Sequence, residues 1–483
     1  MKNAAFRFSV LILIAALVFS LFEIASFADF EAQVYYIDSE NGDDENDGKS
    51  EGTAWETLEN LKELELNPGD SILLKSGGVY EGSIAPESGG TKDAHITVSS
   101  YGEGEKPLLK NDKYSILMPV INVSYLDISG LHFSAKDGCA IYILADGEDA
   151  SFITISDCDF SDIHPEELKS TSTFHAAINI SNTEDKGRVH DILIERINVE
   201  NCAYGMHTSG NDPEIFGIYA VPETDYNYNI TVKDSIFRNC QGGAVIIGCQ
   251  YKSKVENCLI EDCATNKNFA CAPIWFRHSD SCTVSHCEVS GSTNKQDGMT
   301  IDFDGWTTNC TYEYIYSHDN NRFIKNCLFD SHTHNSGNTV RYCLSVNDNN
   351  KRNLMNTPLV KFENILGTAL RMKNFTFINN TLVNISPIHF DLLSNATIKN
   401  NIIVGQSNKK WQTVFTNLTS LLSTGDFDSN CFFNFSVPLN AGNSITSDPE
   451  FDENYVSTAL PSNMGALNGN NYVGCRLDAT DNG

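Results

Sequence analysis

Apolar residues along this chain recur in short alternating runs rather than at helical spacing. The segments ITISDCDF (153–160), ITVKDSIF (230–237), SKVENCLI (253–260), CTVSHCEV (282–289), CTYEYIYS (310–317), RFIKNCLF (322–329), NTVRYCLS (338–345), FTFINNTL (375–382) and ATIKNNII (396–403) share one phrase. Each carries an apolar third position, a polar pair, Cys or Asn at or near the sixth, and then alternating apolar positions. Successive phrases lie about 12 to 30 residues apart, and the longer gaps are rich in Asn, Asp, Gly and Ser. No amphipathic helical segment separates them. Strands this short cannot bury an apolar face alone, so the pattern predicts a solenoid whose coils stack on one another. The expected fold class is all-β, a right-handed parallel β-helix. Ile should stack on Val and Cys on Cys, with Asn ladders at the bends bonding the turn backbone.

That register explains the fifteen cysteines. The row Cys158, Cys258, Cys287, Cys327 and Cys343, with Cys240 nearby, reads as small buried hydrophobes rather than as a disulfide framework. No CxxC pair with metal-site spacing occurs. The first 28 residues have the layout of a secretory signal peptide: Lys2 and Arg7, an apolar run from Phe8 to Phe22, and Ser26-Phe27-Ala28 before the expected cleavage. Without Lys2, Arg7 and Glu23 the remaining chain has 31 basic and 62 acidic residues, a net charge of −31. Such a balance argues against nucleic-acid and anionic-lipid partners. The expectation is a secreted monomer with no membrane association after signal removal.

The densest chemistry lies in DGMTIDFDGWTTNCTYEYIYSHDN (297–320). Alternation along Thr300-Ile301-Asp302-Phe303-Asp304 sends Ile301 and Phe303 inward and sets Thr300, Asp302 and Asp304 together toward solvent. Two carboxylates at i and i+2 are roughly 6.5–7 Å apart by strand rise. The preceding coil, APIWFRH (272–278), sends Ile274 and Phe276 inward and Trp275 and Arg277 outward. Trp275, Arg277, Asp302 and Asp304 then share one patch, with His318 and Asp319 at its lip and Asp297 as a third carboxylate. Asp is disfavoured mid-strand, and adjacent like charges cost stability unless something uses them. Other polar stretches are weaker. YGMHTSGNDPE (204–214) offers His207, Asp212 and Glu214 for the far end of a groove. His332 and His334 lack a third ligand, and DSENGDDENDG (38–48) lacks the spaced Glu of a calcium loop.

The stretch 34–109, the coils around 297–320 and 338–349, and ITSDPEFDENYVSTALPSNMG (445–465) resemble secreted pectate-lyase-like β-helix proteins. The resemblance implies an N-terminal cap in which a short helix near Ala54–Leu64 plugs the first coil. It divides the chain into a signal peptide (1–28), a cap with first coils (29–110), the β-helix (111–447) and a C-terminal cap (448–483). It also implies a polysaccharide substrate. A glycoside hydrolase, the favoured reading, would use Asp302 and Asp304 as acid and base, with Asp297 in reserve and no cofactor. Trp275 and Trp306 would stack on sugar faces, and Arg277 would hold a carboxylate or hydroxyl pair. The motif phrases of β-helix polygalacturonases are absent. The alternative is a lyase in which Asp297, Asp302 and Asp304 bind calcium and Arg277, Arg322 or Lys325 takes the α-proton of a uronate. A non-catalytic carbohydrate-binding β-helix is the third reading.

Overall fold

Three parallel sheets, each made of one short strand per coil, build the molecule, and two of them continue to its last described coils. The computed structural model describes residues 31–111, 115–165, 168–169, 175–183, 187–210, 225–328, 335–348, 359–364, 372–385, 388–390, 392–405, 425–434, 442–461 and 464–466. The first sheet has 15 strands, from Val34–Ile37 to Asp426–Asp428, and the second has 13, from Val79–Glu81 to Cys431–Phe433. The third begins as six strands, from Ser115–Ile121 to Ile274–Arg277. A bridge between Phe276 and Phe303 leads on to Met299–Ile301, Arg322–Leu328 and Val360–Asn364. Strands adjacent in a sheet are one coil apart in sequence, which defines a parallel β-helix.

The inward rows show why these residues make these coils. One row of the first sheet runs Ile128, Ile155, Ile194, Val232, Val255, Val284, Tyr312, Val340, Phe377, Ile398 and Phe427, each in register with the next. Every member is buried in one continuous core. β-branched and aromatic residues fill this tube because they pack against a like neighbour directly above and below.

Corners fall where the repeated phrase puts its polar pair. The residue before the sixth position is left-handed at Asp157, Asn257, His286 and Tyr342, with φ between 52° and 56°. That single residue turns the chain out of the first sheet, and Asn and Asp tolerate it best. The sixth residue then points inward. Cys158, Cys258, Cys287 and Cys343 are buried there, each thiol directed at the carbonyl two residues back. Farther along, asparagine takes over. Cys343 N donates to Asn380 Oδ1, Asn380 N to Asn401 Oδ1 and Asn401 N to Asn430 Oδ1. Their amides donate to Val340, Phe377 and Ile398 carbonyls of the preceding coils. Thirteen cysteines among the described residues are free and buried. Cys240 belongs to a second row with Cys202 and Cys263, after the second sheet. Cys327 lies within the third-sheet strand Arg322–Leu328, outside both rows. RFIKNCLF thus imitates the phrase at a different place in the coil.

The helical plug expected over Ala54–Leu64 is replaced by two 3-10 turns, Glu51–Thr53 and Glu59–Glu63. Trp55 and Leu58 seal the first coil, with Trp55 Nε1 donating to Asn46 O at 2.9 Å. Gly48, at φ 68°, lies against the indole, where an added Cβ would come within 2.5 Å of ring carbon. A large side chain on a tight loop therefore closes the tube where a helix was expected. No helix among the described residues is long and apolar enough to cross a membrane.

Candidate active site

Outward residues of the third sheet form rows as regular as the core. One row reads Pro119, Tyr142, Asn179, His207, Ile246 and Trp275. Because Phe276 pairs with Phe303 and Ile301 with Ile324, the row continues through Asp302 to Lys325 and Lys361. A parallel row carries Gly248, Arg277 and Asp304. Backbone bonds lock this register, with Phe276 N donating to Asp302 O at 3.2 Å and Asp304 N to Phe276 O at 2.9 Å. Tyr312, deep in the core, donates to Asp302 O at 3.2 Å. Trp275 thus stands beside Asp302, and Arg277 beside Asp304.

The expectation that Thr300, Asp302 and Asp304 face solvent together is only partly met. Ile301 and Phe303 do point into the core. Thr300, however, is fully buried, bonded to Ser317 Oγ at 2.6 Å, and Asp302 is 4% exposed. Asp304 is half-buried. Thr300 is turned to Ser317 and to Asn320, whose Nδ2 donates to it at 3.0 Å, and the segment 291–298 leads from the second-sheet strand Glu288–Ser290 into Met299–Ile301. Arg322 ties this segment down by donating to the carbonyls of Gln296 and Asp297 at 2.7 and 2.8 Å. Asn294 Oδ1 accepts from the backbone of Gln296 and Asp297.

The same segment carries Asp297. Asp297 Oδ1 receives Lys325 Nζ at 2.5 Å, with both side chains largely buried. Asp302 Oδ1 is buried and has no hydrogen-bond partner. Burial first, then the charges of Asp304 and Asp297, push Asp302 well above the usual carboxylate range, and Lys325 only partly offsets them. Three carboxyl groups and one lysine share the site.

Beside them opens a cavity of about 320 Å³, lined among others by Tyr204, His207, Gly242, Gly248, Trp275, Arg277 and His278. Gly248, in the row of Arg277 and Asp304, lines this cavity and sits hard against the Thr208 backbone. Its Cβ would come 2.6 Å from the carbonyl oxygen of Thr208. Tyr204, Ile246 and Leu168, with Trp275 and Phe269 against them, form a small apolar wall outside the main core. Asn266 and Asn268 clamp it by donating to Leu168 O at 3.0 and 3.2 Å. Burial, reinforced by the Arg277 charge, lowers His207 to about 3. Trp306, left-handed at φ 63°, lies with its ring 6.2 Å from that of buried His278.

His318 and Asp319 belong to a different face. His318 ends a second-sheet strand and pairs with Glu288 at 3.2 Å and Asp319 at 3.1 Å. Those carboxylates, Glu288 foremost, raise it above its ordinary value. Its partners are surface charges of the second sheet, so it is not a lip to the carboxyl cluster. Arg322 and Lys325 serve the segment 291–298 and Asp297. Asp212, Glu214, His332 and His334 lie outside the described residues. In the acidic run 38–48, Asp38, Asp43 and Asp47 accept from nearby backbone N–H groups, and Asp44 accepts from Glu56 and Thr57. Asn179, Tyr204 and Gly248 have no motif and emerge only from the register.

Among the described residues no group of three or more His, Cys, Asp or Glu is placed to hold a metal ion. Lys325 Nζ bonds Asp297 Oδ1 at 2.5 Å.

No family model matches the chain. A lacto-N-biosidase from Bifidobacterium longum subsp. longum is 36% identical over 84 residues, which is 16% of this chain and 5% of that protein. The crystal structure of a GH136 lacto-N-biosidase from Eubacterium ramulus superposes with a TM-score of 0.59 at 18% identity, over 86% of this chain and 67% of the other. The fold is shared. A pectate lyase structure covers 92% of this chain and 98% of its own at 14% identity, with a TM-score of 0.42. The segment alike to the Bifidobacterium protein is a small part of either chain, so it speaks for a local stretch.

Proposed function

We propose that this protein is an exported glycoside hydrolase, with Asp302 as proton donor and Asp304 as its partner carboxylate. One observation carries the reading: a nearly buried carboxyl with an unpartnered oxygen, flanked by two further carboxylates beside an open cavity. Glycoside cleavage needs one carboxyl that keeps its proton near neutrality and one that does not. Burial provides the first. Lys325 pairs with Asp297 at 2.5 Å, and Arg277 is the register neighbour of Asp304. A spacing of roughly 6.5–7 Å between residues i and i+2 sits at the lower edge of the range for inversion. The similarity to lacto-N-biosidases supports hydrolysis over elimination and makes lacto-N-biose-containing glycosides the first substrates to try.

The test is release of reducing sugar from such glycosides and from plant and algal polysaccharides, with ultraviolet absorbance followed in parallel. Reducing ends without absorbance, lost in Asp304→Asn, are expected. Absorbance at the double bond of an unsaturated product would replace hydrolysis by elimination. If Asp297→Asn and Asp304→Asn abolish turnover while Asp302→Asn only slows it, the proton donor is Asp297 and Asp302 supports it.

A further inference from the structure

Asn294 joins the loop beside the cavity to the segment that carries Asp297, and its amide serves both. The residue is 1% exposed, and its backbone N donates to Ala264 O at 3.1 Å. On one side Nδ2 lies 2.6 Å from Asn266 O, 2.7 Å from Phe269 O and 3.1 Å from Cys271 Sγ. Two hydrogens are thus shared among three acceptors. Those acceptors belong to one connecting loop, in which Phe269 packs on the apolar wall and Ala270 and Cys271 line the cavity. On the other side Oδ1 accepts from Gln296 N at 2.9 Å and Asp297 N at 2.8 Å. From this turn Asp297 reaches Lys325, and its charge acts on Asp302. Gly298 ends the turn in the left-handed region at φ 58°, where a Cβ would come 2.5 Å from Asn294 O. Its N donates to Cys271 O at 3.0 Å, a second tie between the two loops.

This arrangement differs from that of the corner asparagines. Asn380 and Asn401 accept from the backbone of the coil before them and donate to its strand carbonyls, which is what stacking requires. Asn294 instead bonds two connections between strands, and connections are where substrate-handling residues sit on a rigid scaffold. We propose that Asn294 is a positioning residue, whose one amide fixes the segment of Asp297 through its oxygen and the loop lining the cavity through its nitrogen. An amide is required because the oxygen faces only donors and the nitrogen only acceptors. Aspartate keeps the first set and lacks the NH₂ group for the second. The proposal rests on the hydrolase reading for what the carboxylates do, but the link itself can be read without turnover.

The experiment is hydrogen exchange by mass spectrometry on the full-length protein, with steady-state kinetics on the best glycoside substrate beside it. Asn294→Ala should speed exchange at least about tenfold in both 264–272 and 294–298, the effect of losing buried hydrogen-bond partners, and leave the coils before residue 230 unchanged. Asn294→Asp should keep Gln296 N and Asp297 N protected while 264–272 opens. Arg322→Met, which unties the carbonyls of Gln296 and Asp297, should do the reverse. The kinetics should split in the same way. Asn294→Asp should raise KM by about three- to tenfold, Arg322→Met should lower kcat by about 10–10²-fold, and Asn294→Ala should do both. Should Asn294→Ala fail to fold, the opposite patterns of Asn294→Asp and Arg322→Met carry the test. Faster exchange along all coils, equal opening of both loops in Asn294→Asp, or unchanged kcat and KM in an Asn294→Ala protein whose loops have opened would each overturn the proposal. Absence of turnover in the wild type would remove the hydrolase reading, and the exchange pattern would then decide the link by itself.

Discussion

Asp302 gains its character from what surrounds it rather than from the strand that carries it. Asp302 is nearly buried, and the segment 291–298, held by Arg322, carries Asp297, whose charge acts on it. Asp302→Asn should lower kcat by about 10²–10⁴-fold, the usual contribution of a general acid, with little change in KM. Asp297→Asn removes one of the charges that raise Asp302 and frees Lys325 to stabilise its anion. The alkaline limb of the pH–rate profile, where Asp302 loses its proton, should therefore move to lower pH. A limb that stays in place would remove Asp302 from the donor role. Asp348 makes the matching case for stability. It is buried among Ser317 Oγ, Ser345 Oγ and Asn320 N, at 2.6, 2.7 and 2.9 Å, and burial raises it to about 6. A carboxyl raised by folding stabilises the native state below its unfolded pKa, and that stability is lost as pH rises through the folded value. Melting temperatures should fall for the wild type between about pH 4 and 6 relative to Asp348→Asn, by a free energy on the order of 2–3 kcal/mol.

At the scale of one coil, the corner decides everything. A left-handed residue turns the chain, and the next residue is delivered inward, where it must be small and self-satisfying or able to bond the backbone. Cysteine meets the first condition and asparagine the second. Replacing Asn401 by Ala leaves Asn380 N and Phe377 O without their buried partners at once. The expected cost is about 2–4 kcal/mol, read as a lower melting temperature and early hydrogen exchange in the coils 375–405. Asn401→Ser, which retains an acceptor, should lose less. The phrase that revealed these corners also explains the misplaced segment RFIKNCLF. An alternating run of seven residues looks the same whether it precedes a corner or fills a third-sheet strand. Periodicity within a coil does not reveal phase around it.

For the whole molecule, stacking makes each coil depend on its neighbours, and the cysteine rows lie inside that stack. Thirteen of the fifteen thiols are buried and free. Desolvation holds several of them far from ionisation, as at Cys158, pushed up to about 12. They should ignore an aromatic disulfide reagent in the native protein and react together on unfolding. Rapid native labelling of more than two thiols would contradict the rows. The parallel sheets, the inward row from Ile128 to Phe427, and the placement of Trp275 and Arg277 away from the core were legible in the sequence because strand alternation and one-residue-per-coil stacking leave little choice. The closing of the first coil by Trp55 was not, since a loop and a helix can plug the same opening. Nor was the burial of Thr300 and Asp302, the distance of His318 from the cluster, or the union of Asn179, His207 and Trp275 along one wall. Alternation tells a side chain which face of its strand to take. Only the fold decides whether that face is open, buried against another segment, or shared with residues two coils away, because those depend on where the long connections between strands come to rest.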